Sequence, residues 1–298
     1  MKILVGNNTL GRPGGSETYT YAIIKELISK GHDVDAIGVN GGMISNKLKE
    51  LGVKCYFKPI AKEYDLILLS HGSAINMAKN CKGFKVQTCH GIYPKLEQPV
   101  KGMDAYVSIS KEVKNHLSVK GFNSTIIENG VDCERFKSKK PINIKLKSVL
   151  SLCQGATANN MIKQVCQELG ITFIKNDRMK APVFNIEDII NRVDLVISLG
   201  RGCYESMACG RNVLIFDSRK YVGEKAIGDG MLIKNDIKYF LQNNCSGRFV
   251  RKQFNKEQLK NELTSYSQQN GEDLREFVIK ELNIKKQVNK YLDINKIR

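Results

Sequence analysis

Two glycine-rich turns, one glutamate and two histidines are the residues whose types and spacing could do chemistry in this 298-residue chain. The run Gly11-Arg12-Pro13-Gly14-Gly15-Ser16-Glu17 stands between an apolar stretch and an amphipathic one. Glycines in a strand-to-helix turn let backbone N–H groups come close to a phosphate, and the helix that follows begins with partial positive charge. The same residues also suit a plain tight turn, with Ser16 as the helix N-cap. The spacing is not Gly-x-Gly-x-x-Gly and no Gly-Lys-Ser/Thr occurs, so neither a dinucleotide fingerprint nor a P-loop is encoded.

The second run, Gly200-Arg201-Gly202-Cys203-Tyr204-Glu205, lies between the apolar segments 194–199 and 212–216. Its helix must be short, starting near Cys203 and ending at Gly210, a natural left-handed stop. Gly200 and Gly202 would expose amides at the C-terminal end of a strand, where open α/β sheets bind ligands. Glu205, in the first turn of that helix, would accept hydrogen bonds from ribose hydroxyls or simply balance the helix dipole. His90 in Thr88-Cys89-His90-Gly91, and more weakly His71 in Ser70-His71-Gly72, follow strand-like runs. A histidine there is either a satisfied polar residue or a proton-transfer group. His32 and His116 read as helix-end or surface residues.

These residues need a scaffold, and short apolar runs alternating with amphipathic stretches predict parallel-sheet α/β structure. Strands are expected at 2–6, 34–39, 65–70, 84–89, 105–110 and 125–128, with helices at 16–30, 43–51 and 111–120. The segment 136–141, rich in lysine and ending in proline, reads as an exposed linker. Beyond it come strands at 148–152, 171–174, 195–199 and 213–216, and a helix near 160–169. From 255 onward the pattern is helical, anchored by Phe277, Leu282, Val288 and Leu292. The length suits two domains at about 150 residues each, set at 1–138 and 139–298.

Forty-seven Lys and Arg against 30 Asp and Glu give a net charge of +17, a field that concentrates anions. Nucleotide donors, DNA, anionic lipid and phosphate-rich wall polymers all qualify as partners, and so does a merely solvated lysine surface. The nine cysteines include no Cys-x-x-Cys pair, so they read as reduced packing residues rather than zinc or redox ligands. No stretch approaches the roughly 20 apolar residues of a membrane span. The N-terminal apolar run turns polar at Asn7, short of a signal-peptide core of about 7 residues. A cytoplasmic protein, at most peripheral to a membrane, is expected.

Against this background, Glu205-Ser206-Met207-Ala208-Cys209-Gly210 resembles the Glu-Ala-Met-Ala-x-Gly signature of retaining GT-B glycosyltransferases of the GT4-like (glycosyl transferase group 1) family. Three further passages are similar to that family in the same order. They are Gly14-Gly15-Ser16-Glu17 with Leu27 to Gly31-His32-Asp33-Val34, then Val107-Ser108-Ile109-Ser110-Lys111, then Glu128-Asn129-Gly130-Val131-Asp132-Cys133-Glu134-Arg135-Phe136. The resemblance implies an α/β GT-B fold: two Rossmann-like domains facing across a cleft, with a C-terminal helix crossing back to the first. It implies a donor nucleotide-diphosphate sugar such as a UDP-sugar, held mainly by the second domain, and no cofactor beyond that donor.

By the same resemblance, Glu205 binds the ribose and Gly14 and Gly15 approach the diphosphate. Gly200, Gly202 and Cys203 belong to the donor loop, and His90 faces the donor sugar. Two departures stand out. The family's first glutamate falls on Ile197, and Leu152-Cys153-Gln154-Gly155-Ala156-Thr157 lacks its Arg and Lys, with Lys163 too far into a helix to replace them. Arg201 would then neutralise phosphate charge. No Asp-x-Asp motif of the metal-dependent type is read in the sequence, so no obligatory metal is expected. Two rival readings are a transferase acting on modified DNA and a non-catalytic nucleotide-sugar-binding protein on a degraded transferase fold.

Overall fold

The computed structural model describes residues 1–176, 182–220 and 225–294. The chain divides into two compact units, Met1–Gly130 with the stretch from Ile284, and Val131–Asn283. The first unit holds a seven-stranded sheet of order β3-β2-β1-β4-β5-β6-β7, in which every pairing is parallel. Its strands are β1 (Lys2–Gly6), β2 (Asp33–Ile37), β3 (Lys54–Tyr56), β4 (Glu63–Leu69), β5 (Lys82–Cys89), β6 (Ala105–Ser108) and β7 (Thr125–Ile126). Runs such as Ile3-Leu4-Val5 and Leu66-Ile67-Leu68-Leu69 are buried at consecutive positions, as parallel strands covered on both faces must be. The covering helices are α1 (Gly15–Ser29), α2 (Met43–Glu50), α3 (Gly72–Met77) and α4 (Lys111–Val119).

The chain leaves β1 toward β2 and β3, then returns to β4 on the other side of β1. That reversal is a topological switch point, so a crevice opens at the C-terminal ends of β1 and β4. The second unit repeats the device. Its strands are β8 (Ser148–Ser151), β9 (Thr172–Lys175), β10 (Leu195–Ser198), β11 (Asn212–Asp217), β12 (Ile227–Met231) and β13 (Lys252–Gln253), in the order β13-β12-β11-β10-β8-β9. β8 to β11 run parallel, and the switch point falls between β8 and β10. β12 and β13 add antiparallel at the edge. The helices are α5 (Ala156–Glu168), α6 (Ile186–Ile190), α7 (Arg201–Ala208), α8 (Ile237–Leu241), α9 (Lys256–Thr264) and α10 (Gln268–Glu281), and α11 (Ile284–Leu292) returns to the first unit.

Several local expectations are corrected. Gly14, not Ser16, is the N-cap of α1, because its carbonyl already accepts from the Thr18 amide and hydroxyl. Phe136, read as part of an exposed linker, is 1% exposed and packs in the core of the second unit beside Met207 and Leu274. The short elements β3, α3, β12, β13 and α8 carry too few residues to show a period and were not expected. All nine cysteines are free, seven of them buried. Among the described residues no helix is long and apolar enough to cross a membrane.

Arg211 illustrates how the second unit closes its helix ends. It is fully buried, and its guanidinium donates to the carbonyls of Ile190, Asn191, Cys209 and Lys140. A cation at the carbonyl ends of α6 and α7 satisfies acceptors that a helix cannot satisfy itself.

Candidate functional site

The residues singled out by sequence form two groups, one at each switch point. In the first unit, His71 and His90 follow β4 and β5, and the structure brings them together. Their rings stack with centroids 6.1 Å apart and planes 21° from parallel, while Tyr19 of α1 meets His90 edge-on at 5.6 Å. His71 is 5% exposed, and its Nδ1 accepts from the Asn8 amide at 3.3 Å. The ring proton therefore sits on Nε2, and burial pushes the pKa down to about 4, so the imidazole is neutral near pH 7. The Nε2 of His90 is 3.3 Å from the Ser70 hydroxyl, and Ser73 donates to the Asn8 side-chain oxygen at 2.7 Å. β1, β4, β5, α1 and α3 thus converge on one polar patch.

Two carboxylates join this patch: Glu17, which closes the first glycine-rich run, and Glu97, which carried no recognisable sequence signal. Glu17, in the first turn of α1, folds its carboxylate back over Gly14, and Glu97 lays its own over Gly91; a Cβ at either glycine would collide with it. Burial, reinforced by the negative charge of Glu17, pushes the Glu97 pKa up to about 7. The loop expected to approach a diphosphate through Gly14 is therefore lined by a carboxylate, whereas Gly15 is exposed with open space around it.

In the second unit, β10 ends at Ser198 and the chain turns at Gly200, whose φ of 63° is a left-handed value that glycine adopts without strain. The Gly200 amide donates to the Cys245 carbonyl at 2.8 Å. It is not exposed as expected, because the loop after α8 folds over it. Gly202 lies in the first turn of α7 against Ser198, and its amide is one that a helix leaves without an internal partner.

The helix begins at Arg201 rather than near Cys203, so Glu205 sits two residues deeper than expected, in the second turn. One turn is the spacing that lets Arg201 Nε and Glu205 Oε1 meet, at 2.7 Å, with both side chains under a tenth exposed. Burial raises the Glu205 pKa, opposed by the charges of Arg201 and then Arg135. Cys203 is wholly buried in the core, so only its backbone is available to a ligand. Ile197, where the resemblance places a glutamate, is a core residue paired in register with Ser151 and Leu214.

Other partners of this site were given no role by the sequence. Arg135 follows the Asn-Gly-Val-Asp passage, where the Asp132 carboxylate accepts from the Glu134 and Arg135 amides. Its guanidinium pairs with Glu187 at 3.0 Å, donates to the Phe184 carbonyl and lies over the Phe184 ring at 4.3 Å. Asp217, at the end of β11 and 1% exposed, accepts from the amides of Gln154, Gly155 and Ser218 and pairs with Arg219 at 2.9 Å. The β8–α5 turn, where the family's Arg and Lys are missing, thus spends its amides on Asp217. No short-range pattern links residue 217 to 154, so no local signal could have found this clamp.

The sequence does contain one Asp-x-Asp, Asp33-Val34-Asp35, contrary to the reading above; it lies on β2, where Asp35 accepts from the Tyr64 hydroxyl at 2.8 Å. Among the described residues no cluster of three His, Cys, Asp or Glu side chains is placed to hold a metal ion.

No family model and no curated protein matches the sequence. Solved structures match along the whole chain. Alr3699/HepE of Anabaena, solved with UDP and glucose, is similar with a TM-score of 0.66 at 12% identity over 100% of both chains. AviGT4, a glycosyltransferase involved in avilamycin A biosynthesis, gives 0.64 at 12% over 99% of this chain and 97% of that one. An α-glucosyltransferase solved with UDP and a 13-mer DNA containing an HMU base gives 0.59 at 11% over 99% of each. The fold is thus α/β and of the GT-B type, built from Rossmann-like units.

Proposed function

We propose that the protein is a glycosyltransferase that moves a sugar from a nucleotide-diphosphate sugar to an acceptor hydroxyl, with retention at the anomeric carbon. One observation carries this reading. At the switch point of the second sheet a helix opens with a first-turn amide at Gly202 and an arginine, Arg201, whose Nε is fixed by Glu205. Departure of a nucleoside diphosphate is the main barrier in such a transfer, and a pre-positioned cation with helix amides lowers it by stabilising the developing charge. Arg201 supplies the cation. Glu205 gives one oxygen to Arg201 and offers the other to ribose hydroxyls. In the first unit, His71, held neutral by burial, and the stacked His90 supply imidazole groups for sugar hydroxyls, and His90 is the proposed catalytic member.

The similarity to proteins solved with UDP makes UDP-sugars the first donors to test. A nucleotide-sugar that binds only the folded state raises the melting temperature, and Glu205→Ala and Arg201→Ala should abolish that rise. A screen of UDP-, GDP- and ADP-sugars with no shift and no nucleotide release overturns the proposal. Slow hydrolysis of the donor that disappears in Glu205→Ala would dispose of the non-catalytic alternative.

A second reading keeps the donor and makes modified DNA the acceptor. It is favoured by the net charge of +17 and by the similarity to a DNA-bound α-glucosyltransferase. Phosphate contacts release counterions, so binding would weaken steeply with salt. Gel shifts that do not change between low and high salt remove this option.

A further inference from the structure

The first unit holds a cavity of about 350 Å³ between α3, the strands β4 and β5, and the segment leading into β6. Its apolar lining includes Leu69, Ile75 and Met103, and Lys79, Lys85 and Lys101 bring three ammonium groups to it. No carboxylate lines it. Among the described residues none of these lysines is paired with an acid; Lys85 Nζ bonds only to the Lys79 carbonyl, at 3.2 Å. The acid nearest in sequence, Asp104, gives its Oδ2 to the Lys85 amide at 2.9 Å. Three like charges around one cavity repel one another until an anion enters, and low-dielectric walls focus their field on that anion. The volume lies within the roughly 300–1,000 Å³ range of small-molecule sites, which are likewise apolar with a few placed polar groups.

We propose that this cavity binds the phosphate of a partly apolar ester, with the lysines on the phosphate and the aliphatic residues on the adjoining carbon chain. None of these residues belongs to the groups assigned to sugar transfer, so the proposal stands or falls independently of that reading. Lysine ammonium groups bind phosphate as compact point charges, which suits a monoester of any orientation. The ester is either a soluble metabolite or the headgroup of a membrane lipid.

Calorimetric titration of the full-length protein with dihexanoyl phosphatidic acid, sn-glycerol 3-phosphate and vesicles of phosphatidic acid or phosphatidylcholine tests it. Saturable binding of the dihexanoyl ester is expected. Lys79→Glu and Lys101→Glu, both at exposed positions, should each weaken it at least about tenfold, the loss of one charge-assisted hydrogen bond, without lowering the melting temperature. Lys163→Glu in α5 makes the same change of net charge and should leave binding as it is. Comparable binding of sn-glycerol 3-phosphate supports the soluble source. Binding of only the acylated ester and phosphatidic acid vesicles supports the lipid source. No saturable binding of any probe, or equal weakening by Lys163→Glu, overturns the proposal.

Discussion

At the β1/β4 crossover of the first unit, two histidines stack on each other and are held by hydrogen bonds, His71 from the Asn8 amide and His90 with the Ser70 hydroxyl, with the Glu97 carboxyl nearby. At the β8/β10 crossover of the second, the polar side chains are ions closed into pairs, Arg201 with Glu205 and Arg135 with Glu187, beside a carboxylate, Asp217, that ties down backbone amides. The same topological device therefore holds two kinds of chemistry. The first patch changes its charge near neutral pH. The second depends on each ion retaining its partner. A donor diphosphate suits the second, and hydroxyl groups suit the first, where an anion would meet Glu17 and Glu97.

The largest effects should come from opening the ion pairs. Removing one partner of a buried pair costs about 3–5 kcal/mol, because the other charge stays buried alone. Arg201→Met and Glu205→Met should each lower the urea-unfolding free energy by that order. The double replacement should recover most of it while nucleotide-sugar turnover stays lost. Single variants as stable as the parent would show that the second site is not closed in this way.

Next come the turns that carry the second site. Gly155 packs against Ser218, with no room for a Cβ beside the Ser218 carbonyl. Gly155→Ala should destabilise by about 1–3 kcal/mol through overpacking. Gly200 has no side-chain or backbone neighbour nearer than 3.7 Å to an added Cβ. Gly200, with φ 63° and ψ −129°, holds a conformation that suits glycine alone, so Gly200→Ala should cost about 1–3 kcal/mol through backbone strain without any clash, and chemical denaturation of both variants checks the geometry.

The first site should reveal itself through pH. His71 titrates at about 4 in the folded protein against 6.5 ordinarily, so the unfolded chain binds the extra proton and stability falls as pH drops from 6.5 toward 4. Glu97 titrates at about 7 against 4.5, so the folded protein holds the proton longer and stability falls as pH rises from 4.5 to 7. Between 4.5 and 6.5 the two offset each other. Glu97→Gln should expose the His71 slope and gain on the order of 1–2 kcal/mol over the parent at pH 8, allowing for solvent screening of a half-buried group. His71→Asn should expose the opposite slope. Melting curves across this range that remain parallel for all three proteins would contradict the comparison. The smallest effect is expected from chelation: turnover should be the same with and without EDTA, since the proposed chemistry rests on Arg201 and helix amides.

Much of the scaffold was legible because its signals are local. An apolar run such as Leu66-Ile67-Leu68-Leu69 is a buried strand wherever it lies in a parallel sheet, and Gly210, with a φ of 72°, does stop its helix. Both glycine turns were found at strand C-termini, and the resemblance drew attention to Glu205. What Glu205 touches was not legible. A shift of two residues in the helix start, from Cys203 to Arg201, moves Glu205 out of the first turn and pairs one of its oxygens with a buried arginine. The Gly200 amide was likewise expected to be open and is capped by Cys245, 45 positions away.

By itself, then, the order of apolar and polar residues determined the alternation of strands and helices and where the turns fall, because burial periodicity is a property of a few neighbouring residues. Only the tertiary structure decided that His71 stacks on His90, that Asp217 holds the turn at Gln154 and Gly155, and that Arg135 reaches Glu187. The partners in each pair sit on, or in the turns beside, different strands and helices. Strand order and crossover direction bring them within bonding distance, and no spacing along the chain encodes that distance.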